Sequence, residues 1–169
     1  MPGVFISYRR EDSSGFAGRL ADDLSEVFGP DSIFMDVTGI APGIDFRKTI
    51  EQKVGECAAA VVVIGPSWIG DAGGTARLQN ATDFVRLEVA AALERDIQVI
   101  PVLVDGATMP AAGELPPDVE PIVCIQLARE ANLADRQNLL ESRDRGSATC
   151  ARLVRASIVC GVCQWSAHA

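Results

Sequence analysis

Apolar residues recur along this chain in two patterns, short solid runs and stripes with helical spacing. The runs predict strands that are buried on both faces, which is typical of a parallel sheet. They cover residues 4–8, 32–35, 59–64 and 97–104, with a weaker fifth run at 121–127. Between them, apolar spacings of three and four residues predict helices over residues 11–28, 46–56 and 83–95.

Strands that alternate with helices in this way predict an α/β fold. Short right-handed crossovers favour a flavodoxin-like five-stranded parallel sheet in the order 2-1-3-4-5, with helices on both faces. At 169 residues the chain has the length of one domain, which we expect to span residues 1–160. A last helix is predicted over 148–162, and the tail at 161–169 has no clear role.

The composition is that of an ordinary globular protein, with 48% hydrophobic and 22% charged residues. A net charge of −8 disfavours binding to the negatively charged phosphate backbone of nucleic acids, so we expect no nucleic-acid partner. No apolar run is long enough to span a membrane, and no signal peptide precedes the first strand, so a cytoplasmic protein without membrane contact is expected. Five cysteines, an odd number in mostly apolar settings, predict reduced thiols.

Motifs for metals and bound nucleotides are sparse. The one histidine, His168, lies at the extreme end, so no histidine-based metal or acid/base centre is expected. Cys160 and Cys163 have C-x-x-C spacing, but one such pair without a second is a weak indication of zinc. The sequence contains neither G-x-G-x-x-G nor a P-loop, so a nucleotide would have to bind by another route.

The most informative segment is the predicted helix over 83–95. Phe84 and Glu88 are four residues apart and therefore share one face of that helix, while Val85, Val89 and Leu93 form a second stripe. A carboxylate beside an aromatic ring is unusual to bury and useful at a cleft. Taken alone, however, a helix glutamate such as Glu88 is usually a solvated surface charge, and an aromatic residue such as Phe84 is more often part of the core.

Three segments, in this order and spacing, resemble a bacterial Toll/interleukin-1 receptor (TIR) domain over residues 4–127. They are FISYRRED at 5–12, DVTGIAPGIDF at 36–46 and FVRLE at 84–88. The resemblance implies one of two functions. Many members are NAD glycohydrolases or cyclases that release nicotinamide and ADP-ribose, or a cyclic isomer, as an immune or defence signal. Other members are non-catalytic interaction modules that act through homotypic assembly.

Catalytic members of this family carry an essential glutamate on the third helix, in a W-x-x-x-E pattern. Glu88 matches that glutamate, and Phe84 stands in the tryptophan position, where it keeps an aromatic face but lacks the indole N–H. The resemblance therefore implies that Glu88 is catalytic and that NAD is a substrate, with no cofactor. One carboxylate suffices, because nicotinamide leaves as a neutral group while the ribose becomes oxocarbenium-like.

The substrate contacts expected on this hypothesis are Arg9, Arg10, Asp36, Phe46, Trp68 and Phe84. Most of them follow predicted strands, at the edge where open α/β sheets bind ligands. Arg9 and Arg10 suit bidentate phosphate contacts, or else form a solvated surface pair. Asp36 either bonds a ribose or caps its loop, and Trp68, next to Ser67, either walls the pocket or closes the core.

The loop that begins at Val37 and ends at Asp45 matches the family's BB loop, which in catalytic members packs against a neighbouring domain. We therefore expect self-association through this loop, with Ile40, Ile44 and Phe46 as apolar contacts. The alternative is an ordinary surface loop. A sensor or effector domain is a further expected partner, because TIR domains commonly lie beside one.

A phosphoacceptor receiver domain would share the predicted topology. It requires an aspartate after the third strand and a lysine after the fifth. Gly65-Pro66 and Leu127-Ala128 stand at those places, so this hypothesis is set aside.

Overall fold

The computed structural model describes residues 3–35, 46–70 and 76–125, in which strands and helices alternate. The strands are Gly3–Ser7 (β1), Ile33–Met35 (β2), Cys57–Ile64 (β3) and Gln98–Leu103 (β4), and the long helices are Arg10–Phe28 (α1), Phe46–Gly55 (α2) and Phe84–Glu94 (α3). These elements confirm the α/β pattern that the apolar spacing predicts. Within these ranges, every helix is too short or too polar to cross a membrane.

The described strands form one parallel sheet in the order β2-β1-β3-β4. This order confirms the flavodoxin-like arrangement for the first four predicted strands. The chain passes from β1 to β2 in one direction along the sheet, and from β3 to β4 in the other. The two directions diverge between β1 and β3, which makes the carboxyl ends of these neighbours the topological switch point of the sheet.

Alternate side chains of β1 pack on opposite faces of the sheet, as the two-residue period of a strand requires. Val4 and Ile6 pack against α1 in one buried cluster. Phe5 lies in the other cluster, which α2 and α3 cover. Ser7 lies two residues after Phe5, so its side chain is on the same face of the sheet, which α3 covers.

The end of α1 follows from its sequence. The helix stops at Phe28, because Gly29 has a φ of +88°, a left-handed conformation that glycine adopts without steric cost. A short 3-10 turn at Pro30–Ser32 then leads into β2. The predicted end of this helix at residue 28 is therefore confirmed.

The prediction of a strand at residues 121–127 is wrong for the part that is described, because residues 121–125 are helical. The local hydrogen bonds explain this, since Ile122 N donates to the carbonyl of Val119 at 3.1 Å, a helical rather than extended pattern. Val119 and Ile122 are both fully buried, so their spacing of three residues is a helical stripe. Residues 126–169 lie outside the described ranges, and with them the predicted helix at 148–162, the boundary at 160 and the tail.

Candidate functional site

Glu88 lies on α3 and faces the sheet, with only 7% of its surface exposed. It shares the buried face of the helix with Val85, Ala91 and Ala92. Ser7, the last residue of β1, donates a hydrogen bond from Oγ to Glu88 Oε2 at 2.7 Å. A buried carboxylate needs such donors, because its charge has lost most of the surrounding water. The Ser7 hydroxyl therefore holds this carboxylate at the end of a strand.

The Ser7–Glu88 pair lies at the topological switch point of the sheet. Ser7 pairs with Val62 of β3, so β1 ends beside the strand that leads to α3. In open α/β sheets, ligands bind in the crevice at this point. The structure thus brings the carboxylate that the sequence singles out as catalytic to the edge where a ligand site is expected.

Arg9 lies two residues beyond Ser7 and is 5% exposed. Its Nε donates to the carbonyl of Trp68 at 2.8 Å. Its Nη1 and Nη2 donate to the two carboxylate oxygens of Asp83 at 3.0 and 3.3 Å, which makes a bidentate ion pair. These contacts give the Arg9 guanidinium a structural role, and its predicted contact with a pyrophosphate stays a prediction.

Asp83 is the N-cap of α3, because its Oδ1 accepts the backbone N–H of Arg86 at 3.1 Å. The Arg86 side chain continues the network by donating to Asp118 Oδ2 at 3.0 Å and to the carbonyls of Leu78 and Gln79. The first turn of α3 is thus fixed to β1 on one side and to the preceding loop on the other. This anchoring sets where the carboxylate further along the helix lies.

The carboxylate of Asp12 joins α1 to the segment that follows β3. Asp12 Oδ1 accepts the backbone N–H of Ser67 at 2.9 Å. Its Oδ2 is buried and, within the part of the chain that is described, has no hydrogen-bond partner. Gly65 makes this approach possible, because a Cβ at that position would overlap the Asp12 carboxylate. Gly65 is therefore a packing requirement as well as a turn residue.

The other predicted site residues that the structure describes lie in different settings. Phe84 is 52% exposed at the first position of α3, although it lies one turn from the buried Glu88. Trp68 is 1% exposed and belongs to the core, which favours the second of its two predicted roles. Arg10 is exposed at the start of α1. Three predictions fall outside what is described: Asp36, the loop at 37–45 and the side chain of Phe46.

Two residues that complete this geometry, Ser7 and Asp83, have no role predicted from the sequence. Both left a signal. Ser7 is a polar residue at the end of an otherwise apolar run, which is where a strand meets the crevice. Asp83 directly precedes a helical stripe, the position at which an aspartate caps free N–H groups. Only the three-dimensional pairing, with Glu88 and with Arg9, was beyond sequence reasoning.

Comparisons with known proteins agree with this architecture. A family model described as TIR domain matches residues 4–140. The chain is similar to the TIR domains in the structure of the activated Roq1 resistosome directly recognising the pathogen effector XopQ. The identity is 19%, the match covers 94% of this chain and 99% of that chain, and the TM-score is 0.55. At that identity the likeness concerns the fold. None of the curated proteins matches the chain significantly.

Proposed function

Because the chain belongs to the TIR domain family, we propose that it cleaves the nicotinamide–ribose bond of NAD. The products are nicotinamide and ADP-ribose, or a cyclic isomer of ADP-ribose, and they act as an immune or defence signal. One observation carries the proposal. The Glu88 carboxylate is 7% exposed and accepts a 2.7 Å hydrogen bond from Ser7 at the switch point of the sheet.

Cleavage of the nicotinamide–ribose bond requires a fixed negative charge near the ribose and few other catalytic groups. As the bond to nicotinamide stretches, positive charge develops on the ribose, and a carboxylate held in a low-dielectric site stabilises it. Nicotinamide leaves as a neutral molecule, so no side chain needs to protonate it. Attack by water on the ribose then gives ADP-ribose and releases one proton. Attack by an oxygen or nitrogen of the same molecule gives a cyclic product.

Two exposed side chains are proposed as substrate contacts. Phe84 presents an aromatic face one helical turn before Glu88, and an aromatic face suits stacking on a flat ring. Arg10 begins α1 just beyond the end of β1 and carries the fork of donors that suits a pyrophosphate. Asp36, Phe46, Trp68 and Arg9 remain further candidates from the resemblance.

The active form is proposed to be an assembly of copies through the loop at 37–45. The support is the likeness to TIR domains that belong to an activated resistosome. The same likeness favours a second candidate function, a non-catalytic module that recruits other TIR domains through this loop. A cytoplasmic location and a neighbouring sensor or effector domain are parts of both proposals.

The test measures nicotinamide released from NAD by the purified chain at concentrations where light scattering detects assembly. Glu88→Gln removes the charge and keeps the shape of the side chain. Glu94→Gln is the matched control, because Glu94 is the exposed last residue of the same helix. We expect the control to match the wild type, and Glu88→Gln to lose about 100-fold or more of the rate.

Thermal unfolding of all three proteins shows whether each variant is folded. Full activity in folded Glu88→Gln would remove this residue from the mechanism. Assembly without any nicotinamide release by the wild type would favour the interaction module over the enzyme.

A further inference from the structure

We infer that Ser7 is a positioning residue for Glu88, and that its hydroxyl helps to hold the carboxylate in the orientation that the developing ribose cation requires. The inference rests on the proposed function and deepens it. Ser7 and Glu88 are 1% and 7% exposed, and the distance from Ser7 Oγ to Glu88 Oε2 is 2.7 Å. A hydrogen bond from a hydroxyl to a carboxylate at that distance is of the strong, charge-assisted kind.

The position of Ser7 in β1 makes this contact specific. All five residues of the strand are buried, and the side chains of Val4, Phe5 and Ile6 fill the two apolar clusters. A buried hydroxyl in such surroundings destabilises the fold unless it is hydrogen-bonded. Packing alone therefore does not require a hydroxyl at this position, since an apolar side chain would fill the space equally well. The hydroxyl of Ser7 donates its hydrogen bond to Glu88, which indicates that its role is to hold the carboxylate.

The two partners differ in freedom, and this decides which one positions the other. Ser7 has one side-chain torsion and lies on a strand paired with Val62 of β3. Glu88 has three torsions on a helix, so its carboxylate has more alternative orientations to lose. A donor fixed to the sheet therefore sets the orientation of the carboxylate. Misorientation of a catalytic group by as little as 1 Å lowers the rate strongly while affecting substrate binding less.

The experiment compares steady-state NAD cleavage by the wild type, Ser7→Ala, Ser7→Thr and Ser13→Ala. Ser7→Ala removes the donor, and Ser7→Thr retains a hydroxyl on a residue that strands favour. Ser13→Ala is the matched control, because Ser13 is also 1% exposed, but its hydroxyl lies 3.4 Å from the carbonyl of Arg9. We expect Ser7→Ala to lower kcat about tenfold or more with KM changed by less than about twofold.

A further part of the expectation is that Ser7→Thr restores most of kcat, and that Ser13→Ala keeps it. In the Glu88→Gln background, Ser7→Ala should have no additional effect, because residues that act as one unit are not additive. If Ser7→Ala does not unfold cooperatively, Ser7→Cys, a weaker donor of similar size, is judged by the same kcat criterion.

Failure of the inference differs from failure of the proposed function. A wild type that releases no nicotinamide overturns both. An active wild type with inactive Glu88→Gln, combined with an unchanged kcat in folded Ser7→Ala, overturns only the role of Ser7. A Ser7→Ala variant that raises KM and leaves kcat unchanged also overturns only the role of Ser7.

Discussion

The guanidinium of Arg9 forms a bidentate ion pair with the carboxylate of Asp83, across 74 positions of sequence. The two side chains are 5% and 10% exposed. Asp83 caps α3, so this pair fixes the end of β1 to the start of the helix that carries Glu88. The register between these two elements, on which the Ser7–Glu88 contact depends, is therefore set by a buried charge pair.

Loss of either partner should destabilise the fold more than loss of a surface ion pair. Arg9→Ala leaves the Asp83 carboxylate buried without its cation and the Trp68 carbonyl without its donor. We expect a loss of about 3–5 kcal/mol in the free energy of unfolding, measured by urea denaturation. Asp83→Asn keeps a cap residue and removes the charge, so its cost measures the ion pair with little change at the cap.

A double-mutant cycle isolates the pairwise contribution. The control pair is Arg77 and Glu11, which lie 3.2 Å apart with side chains 48% and 69% exposed. Exposed pairs of this kind couple by about 0.2–1 kcal/mol. A coupling free energy between Arg9 and Asp83 no larger than that of the control pair would contradict the anchoring role.

Gly65→Ala should destabilise the protein, because the added Cβ would overlap the Asp12 carboxylate, whose other oxygen already accepts the N–H of Ser67. We expect a cost of about 1–3 kcal/mol by chemical denaturation. Gly15→Ala is the control, since a Cβ there meets nothing within 4 Å. In the interior of α1 that change should stabilise by about 0.5–1 kcal/mol. Equal effects of the two substitutions would show that Asp12 yields freely.

Much of this fold follows from local patterns. Helix α3 and strand β3 are found where the apolar spacing places them, because periodicity reports directly on which face is buried. The strand prediction for residues 121–125 was wrong because periodicity reports which residues are buried but not the type of a short element. A short apolar run fits a strand or a buried helical turn equally well. The fold class is predictable, whereas the type of a short element depends on the surroundings that it packs into.

The site is less predictable than the fold, because its geometry comes from distant pairs. Glu88 stands out through its place in a motif, but the hydroxyl that holds it lies 81 positions away. Arginine suits a phosphate and a carboxylate alike, and in the structure the Arg9 guanidinium pairs with the carboxylate of Asp83. Residue chemistry alone cannot tell an internal acceptor from an external one.

Trp68 offers a test that separates a core role from a wall of the pocket. It is 1% exposed, and its indole Nε1 has no hydrogen-bond partner among the described residues. Trp68→Phe therefore loses volume but no hydrogen bond, and we expect it to cost less than Trp68→Ala, which should lose about 3–5 kcal/mol. Urea unfolding measures both costs. If nicotinamide release by folded Trp68→Phe shows a KM raised about tenfold or more, the side chain contacts NAD after all.

Cys57 should make the stability of the fold fall at alkaline pH. The pKa of its thiol is raised from 9.0 to about 11, chiefly by burial and also by the nearby charge of Glu56, while Lys53 opposes the shift. The thiol also donates to the carbonyl of Lys53 at 3.3 Å, which favours the protonated form. As the pH rises past 9.0, the Cys57 thiol ionises in the unfolded chain before it ionises in the folded protein. The free energy of unfolding should therefore decline between pH 9.0 and about 11, and this thiol should not affect it below pH 9.0.

The measurement is the free energy of unfolding of the wild type and Cys57→Ala between pH 7.5 and 10.5. The wild type should lose stability with rising pH more steeply than the variant, which has no thiol to titrate at this position. Alkylation mapped peptide by peptide is the parallel check, with the exposed Cys124 as the reactive control. If native Cys57 is alkylated as fast as Cys124, or the two pH profiles are parallel, the thiol is not held protonated by burial.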